Sequence, residues 1–284
     1  MIEGPTAVVP TTALEAVARA EIDIQVTTAK RYPREVPAAV ARALEMATAT
    51  PDIAAECFYV LKRKDNRTGK VTTISDASIR LAEIFACTWG NLAYGFRAIE
   101  DQGTAVIVEG MCVDYETNVR CSKPVRRNVL DRNGRRYSED MVTMTTMAAG
   151  SIACRNAIFG VIPGVYKTQV LNAAKKAAVG EAKSFAARRD KALAYFGKLG
   201  VDQARVLGVL GHEAVDAITE EDVQTLLGLA TAIRDGDTTL EQAFPGPPPA
   251  GAAAGPPTPD EASSRAEALA QELFAGPGPA RSGP

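Results

Sequence analysis

Two groups of basic side chains are, by type and spacing, the residues best suited to chemistry. The larger group has seven cations within positions 120–136, where Asp131 is the only acid. Such density favours binding to phosphates, because guanidinium and ammonium groups neutralise phosphate charge and release condensed counterions. The larger group comprises Arg120, Lys123, Arg126, Arg127, Arg132, Arg135 and Arg136, and the smaller comprises Lys62, Arg63, Lys64, Arg67 and Lys70.

Charge is segregated along the chain, although the formal net charge is only -2. Residues 1–60 hold 5 basic and 8 acidic side chains, residues 61–196 hold 22 and 13, and residues 197–284 hold 5 and 13. A basic middle between acidic flanks is the pattern expected if the middle binds a polyanion. An unevenly charged solvated surface, or cations that protect a strand edge from aggregation, are the alternatives left open.

Two more residues are candidates for contact with nucleic acid. Tyr137 adjoins the larger basic group and is the aromatic residue predicted to support an unstacked base. Arg155 lies among small and apolar neighbours, and a buried arginine needs a partner. It therefore either pairs with a carboxylate or points into a nucleic-acid groove. The aromatic residues Tyr59, Tyr94, Phe96 and Trp89 are predicted to belong to the core.

Hydrophobic spacing and turn residues predict an α+β fold. In the first half, helices are predicted over Thr12–Ile24 and Pro37–Met46. A β-hairpin is predicted over Cys57–Leu61 and Val71–Ile74, and a third helix over Ala77–Trp89. Pro51 is expected to stop the second helix, and Ser75 with Asp76 to cap the third. Three strands of an antiparallel meander follow, predicted over Leu92–Ile99, Thr104–Tyr115 and Val119–Val129. A long helix is then predicted over Glu139–Phe159.

Beyond the long helix, composition divides the rest of the chain. A further helical stretch is predicted over Lys167–Lys198, followed by short acidic helices over Val201–Leu210, Glu220–Arg234 and Thr239–Phe244. Residues 245–284 are rich in Pro, Gly and Ala and are expected to be disordered, apart from a possible partner-binding helix at 264–274. The predicted domains are an N-terminal helical segment (1–54), a DNA-binding and oligomerisation core (55–198), an acidic helical module (199–244) and a tail (245–284).

This order of elements resembles the core of the single-strand annealing proteins, a group that includes the phage RecT, Red beta, Erf and Sak-type recombinases. The resemblance is carried by Ile79–Phe85 followed by Trp89-Gly90-Asn91, and by Ser151–Gly160 with its aromatic-glycine pair. It covers about residues 55–165, and 185–244 is similar to C-terminal modules of phage recombination proteins. The chain departs from the ring-forming eukaryotic relatives in having only Arg155 as a basic residue before that pair.

The resemblance implies a function that needs no bond-breaking residues, ATP, metal or cofactor. It implies binding of single-stranded DNA, annealing of complementary strands and assembly of the chain into a ring or filament. It also implies that residues 199–284 dock an exonuclease or a host single-strand binding protein. The expected location is the cytoplasm of a bacterial host cell, since no signal peptide and no apolar run of 18 residues are visible.

Two other classes of function remain open. A metal-dependent nuclease would use paired carboxylates, for which Asp114 with Glu116, or Glu139 with Asp140, are the candidates. A phage structural or adaptor protein would use the basic face on packaged nucleic acid. The sequence has no GxxxxGK[ST] motif for nucleotide phosphates, and its single histidine and scattered cysteines suggest no catalytic or metal centre.

Overall fold

The computed structural model describes residues 12–64, 71–131, 133–180 and 182–246, together with Leu269 and Leu273. The chain folds as an α+β protein, as its sequence predicts. The helices are α1 (Ala13–Arg31), α2 (Val36–Ala47), α3 (Pro51–Glu56), α4 (Ile79–Trp89), α5 (Glu139–Val161), α6 (Gly164–Val179), α7 (Ala182–Lys198), α8 (Gln203–Leu210), α9 (Glu220–Arg234) and α10 (Leu240–Ala243). The strands are β1 (Phe58–Lys64), β2 (Val71–Ala77), β3 (Leu92–Asp101), β4 (Ala105–Asp114) and β5 (Val119–Asn128).

The strands form two antiparallel sheets, as the predicted hairpin and meander require. One sheet is the β1–β2 hairpin and the other has the order β3-β4-β5. Burial alternates along β4, so that Val106, Val108 and Cys112 are buried while Ile107 and Met111 are only half-buried. This period of two reflects a sheet with one covered face. We call the covered face the inner face and the opposite one the outer face.

Glycine lets α5 approach the inner face of this sheet closely. A Cβ atom at Gly110 of β4 would overlap the backbone of Ala153 in α5, and one at Gly150 would overlap the ring of Phe96. At the C-terminal end of α5, Gly160 lies in the same way against Cys121 of β5. Only residues without a side chain allow contacts this close, so these glycines set the position of α5 over the sheet.

Several element boundaries differ from those predicted, and α1 continues to Arg31 rather than ending near Ile24. Ser78, rather than Ser75 or Asp76, caps α4 by accepting a hydrogen bond from the Leu81 amide, because residues 75 and 76 continue the ladder of β2. Pro51 begins α3 instead of only ending a helix, since its missing N–H is tolerated in the first turn. The predicted helix over 167–198 is two helices, α6 and α7, because Gly180 takes a positive φ of 75° after α6.

The inner side of residues 199–244 shares the main hydrophobic core with the rest of the chain. Gly228 of α9 lies directly against Val60 of β1, and the Thr231 hydroxyl donates to the Ala55 carbonyl at 3.3 Å. Acidic composition describes the solvent side of these helices, whereas their buried side decides where they pack. Leu273, from the predicted tail helix, is also buried in this core, while the rest of the tail beyond residue 246, except Leu269, lies outside the described residues.

A buried ion pair joins the α1–α2 connection to the β4–β5 turn. Arg34 donates to both carboxylate oxygens of Asp114, at 2.6 and 2.5 Å, and lies over the ring of Trp89. Burial alone would raise the pKa of Asp114, but hydrogen bonds from Arg34 and from the Glu116 amide together lower it. Glu116 accepts from the Arg34 amide and from Asn91. These carboxylates, which were candidates for a nuclease, therefore hold two parts of the fold together.

We expect Gly110→Ala to destabilise the protein by about 3 kcal/mol, because a methyl group at this position must push the α5 backbone away from β4. Urea denaturation followed by circular dichroism measures the change. Gly95→Ala is the matched control, since a Cβ atom at Gly95 of the neighbouring strand meets nothing within 4 Å. Equal stability of the two variants would contradict the close approach of α5.

Candidate nucleic-acid interface

Strand β5 divides its basic residues between the two faces of the sheet. Lys123 and Arg127 pair across the ladder with Gly110 and Val106 of β4, so they lie on the inner face beside α5. Arg120 and Arg126 pair with Val113 and Ile107 and lie on the outer face. Side chains on a strand alternate between faces, so the predicted basic cluster forms two surfaces.

On the inner face, Arg127 lies near a buried ion pair that joins α5 to the α9–α10 loop. The Arg155 guanidinium bonds the Asp237 carboxylate at 2.8 Å and stacks over the ring of Tyr59, with 4.3 Å between the guanidinium carbon and the ring centroid. Arg127 donates to the Gly236 carbonyl on the same α9–α10 loop. Of the two alternatives for Arg155, the structure shows the one in which it pairs with a carboxylate.

The series of charges continues across the β1–β2 hairpin onto α6. Asp76 of β2 lies directly opposite Tyr59 in the ladder, and it accepts a hydrogen bond from the Lys167 ammonium at 2.9 Å. Lys167 also lies over the ring of Phe159, 5.5 Å from its centroid. Half-buried Lys175, two turns further along α6, is close enough to Asp76 for the carboxylate to act on its pKa.

We call this arrangement the cationic seam, which runs between the inner edge of β5, the C-terminal half of α5, the hairpin and α6. Gly160 at the end of α5 lies against Cys121 and near Lys123, so this part of α5 packs directly on β5. The seam has more positive than negative groups: its cations are Lys123, Arg127, Arg155, Lys167 and Lys175, and its carboxylates are Asp76 and Asp237.

Burial makes this excess of cations costly. It lowers the pKa of Arg127, partly offset by Asp237, and lowers that of Lys175, partly offset by Asp76. Burial also raises the pKa of Asp237, although the Arg155 charge opposes that change. Each direction means that the charged form is poorly solvated. A polyanion bound along the seam would restore favourable interactions to these cations.

The other predicted cations are distributed away from the seam. Lys62 donates to the Val209 carbonyl near the end of α8, and burial lowers its pKa. Arg136 bonds both carboxylate oxygens of Asp101, at 3.0 and 2.6 Å. Arg63, Arg120, Arg126 and Arg135 are exposed. The side chain of Lys64, and all of Arg67, Lys70 and Arg132, lie outside the described residues.

Tyr137 is a packing residue. It is half-buried and packs against a small core cluster of Val106, Val129 and Val142. The sequence suggested the opposite role because Tyr137 follows two arginines, but its amide joins the Val129 carbonyl at 2.9 Å and holds it at the sheet.

The sequence analysis missed several members of the seam. Lys167 and Lys175 are eight residues apart on α6, a spacing that puts both near one side of a helix, and Leu171 between them is buried. This spacing of two lysines around a buried leucine could have been recognised in the sequence. Asp76 and Asp237 have no such signal, because their roles arise only from partners distant in sequence.

The second pair of nuclease candidates, Glu139 and Asp140, lies in the first turn of α5 after the Ser138 cap. Acidic residues are favoured there by the helix dipole. Within the described residues, no group of three or more His, Cys, Asp and Glu side chains is arranged to hold a metal ion.

Comparison with known proteins finds no match, whether with a family model, a curated protein or a solved structure. Over the part of the chain that the structure describes, none of the helices is long and apolar enough to cross a membrane.

We expect Arg155→Met to destabilise the protein by about 3 kcal/mol near neutral pH, because it leaves the Asp237 carboxylate buried without its partner. Without Arg155, the pKa of Asp237 in the folded protein lies further above its pKa in the unfolded chain. The loss of stability is therefore small at pH values below the unfolded-chain pKa, and it grows as the pH rises through the folded-state pKa. Urea denaturation at pH 4 and pH 7.5 measures this dependence.

Asp237→Asn in the Arg155→Met background is the control for this charge effect. The amide cannot ionise, so the double variant should recover part of the lost stability at pH 7.5 and little at pH 4. A loss in Arg155→Met that does not vary with pH would mean that the packing of Arg155 on Tyr59, rather than the ion pair, carries its contribution.

Proposed function

We propose that the protein binds single-stranded DNA along the cationic seam and anneals complementary strands without ATP, in recombination of the phage type. The observation that supports this proposal most directly is the excess of cations along the seam, of which all but the exposed Lys123 are partly or fully buried. The seam has fewer carboxylates than cations, so a row of phosphates is the ligand that complements these cations.

The rings along the seam favour contact with the backbone rather than with bases. Tyr59 is buried beneath Arg155, and half-buried Phe159 carries the Lys167 ammonium on one face. Little surface of these two rings is left for the base stacking that many single-strand binding proteins use. Tyr94 and Phe96 of β3, which were predicted to belong to the core, are instead 46% and 36% exposed. A strand held by its phosphates keeps its base edges free, and free base edges are what a second strand needs in order to pair.

The proposal includes the remaining expectations drawn from the resemblance. The chain acts in the cytoplasm of a bacterial host cell and assembles with copies of itself. The acidic solvent side of residues 199–246 is available to an exonuclease or a single-strand binding protein. A packaged-nucleic-acid adaptor is the competing function, which would bind nucleic acid without accelerating annealing.

We expect Lys123→Gln/Lys175→Gln to weaken binding of a fluorescent oligo(dT) and to slow annealing of complementary oligonucleotides without ATP by at least about tenfold. Each phosphate contact that is lost should reduce the slope of log affinity against log salt concentration by about 0.7. Fluorescence anisotropy between 50 and 300 mM salt, and strand-pairing fluorescence, provide the two readouts.

Lys176→Gln is the matched control, since Lys176 is exposed on α6 next to Lys175 and has no part in the seam. It should bind and anneal like the wild type. If the control and the seam variant lose affinity and salt dependence equally, DNA lies elsewhere on the protein. If the folded wild type binds DNA without accelerating annealing, the adaptor function becomes the better description.

A further inference from the structure

Helix α1 is well formed but mostly unpacked. Thr12 and Glu15 make a reciprocal capping box at its start, yet all residues from 15 to 25 are exposed. Near its C-terminal end, Ala29 is buried and Val26 is half-buried. Packing of an apolar face supplies most of the stability of helices in proteins, so the exposed part of α1 would gain stability from a surface to pack on.

The exposed part of α1 has an apolar side that is suited to such packing. Val17, Ile22 and Ile24 are 55%, 51% and 66% exposed, and at 100° per residue they fall on one half of the helix. Asp23 and Thr27 lie on the other half. The charges of this part are Glu15, Arg19, Glu21 and Asp23, so it is net acidic.

The outer face of the three-stranded sheet has the complementary features. Cross-strand rows run Ala93–Val113–Arg120 and Gly95–Met111–Ser122. The small residues of β3 and the half-buried Val113 and Met111 make a shallow apolar lane. Exposed Arg120 and Arg126 line its β5 side, where Arg120 donates to the Met111 sulfur and its charge acts on Glu109.

The lane covers the rows at positions 93 and 95 of β3, and the next row on this face, Arg97–Glu109–Pro124, is charged, with Arg97 paired to Glu109 at 2.8 Å. Acidic α1 would lie beside Arg120 and Arg126, which gives opposite charges at the rim of an apolar contact. Electrostatic complementarity of this kind fixes orientation and partner choice.

The helix does not reach this lane on its own molecule. Arg34 fixes the end of the α1–α2 connection to Asp114 and Glu116, at the turn that joins β4 to β5. From that anchor α1 extends with residues 15–25 exposed, instead of lying back over its own sheet. The occupant of the lane must then come from another molecule.

We propose that α1 of one copy lies across the outer face of the three-stranded sheet of a second copy. The two contacting surfaces differ, so the contact is head-to-tail, and repeating it generates a closed ring or an open filament. This assigns Arg120 and Arg126 to self-assembly, while Lys123 and Arg127 on the other face of the same strand belong to the seam.

Sedimentation velocity at about 50 μM tests the contact with two variants of the full chain. The arm variant, Val17→Asp/Ile24→Asp, removes the apolar side of α1, and the face variant, Arg120→Glu/Arg126→Glu, reverses the charge of the lane. We expect the wild type to assemble and each variant to dissociate at least tenfold more readily. Thr27→Asp, on the polar side of α1, is the matched control and should assemble normally.

An equimolar mixture of the two variants identifies the geometry. The arm variant keeps an intact lane and the face variant keeps an intact α1, so the mixture should form heterodimers that cannot grow further. Adding Glu21→Arg to the face variant should restore part of the assembly by exchanging a charge at the contact. Circular dichroism confirms that each variant is folded.

Three results would overturn the proposal. The first is a wild type that is monomeric at this concentration. The second is an arm variant that assembles as the wild type does. The third is an arm variant that dissociates while the face variant assembles normally. The last result would mean that α1 pairs with another α1 or with a different surface.

Discussion

The close approach of α5 to strand β4 is the constraint on which the rest of the structure depends. Gly110 leaves no room for a side chain between the two elements, so the backbone near Ala153 rests on the sheet. This contact fixes where the following turns of α5 lie. Arg155, Phe159 and Gly160 are consequently held beside the inner edge of β5, where the strand presents Lys123 and Arg127.

The alternation of β5 gives one strand two separate tasks. Its even and odd positions face opposite sides of the sheet, so basic residues that are contiguous in the sequence supply two surfaces 180° apart. The inner surface has buried partners and a net positive charge. The outer surface has exposed arginines beside an apolar lane. A protein that must hold a strand of DNA and also contact its own copies benefits from keeping these surfaces apart.

Much of the fold could be predicted because its signals are local. Alternating burial marks β4, the Thr12 capping box begins α1 within a residue of the predicted start, and α9 has the bounds expected from its apolar spacing. The candidate site could be predicted only in part. Arg155 was recognised as a residue that needs a partner, but Asp237 lies 82 positions away, and no local pattern reports such a pairing. Composition also says little about how residues 199–244 pack, since net charge describes the solvated side of a helix and packing depends on the buried side.

Lysine acetylation footprinting by mass spectrometry, with and without saturating oligo(dT), tests the central claim most directly. A phosphate backbone along the cationic seam would protect Lys123 and Lys175 from the reagent while Lys176, one position further along α6, stays as reactive as before. Protection of Lys176 with no change at Lys123 and Lys175 would contradict the account, because DNA would then lie away from the seam.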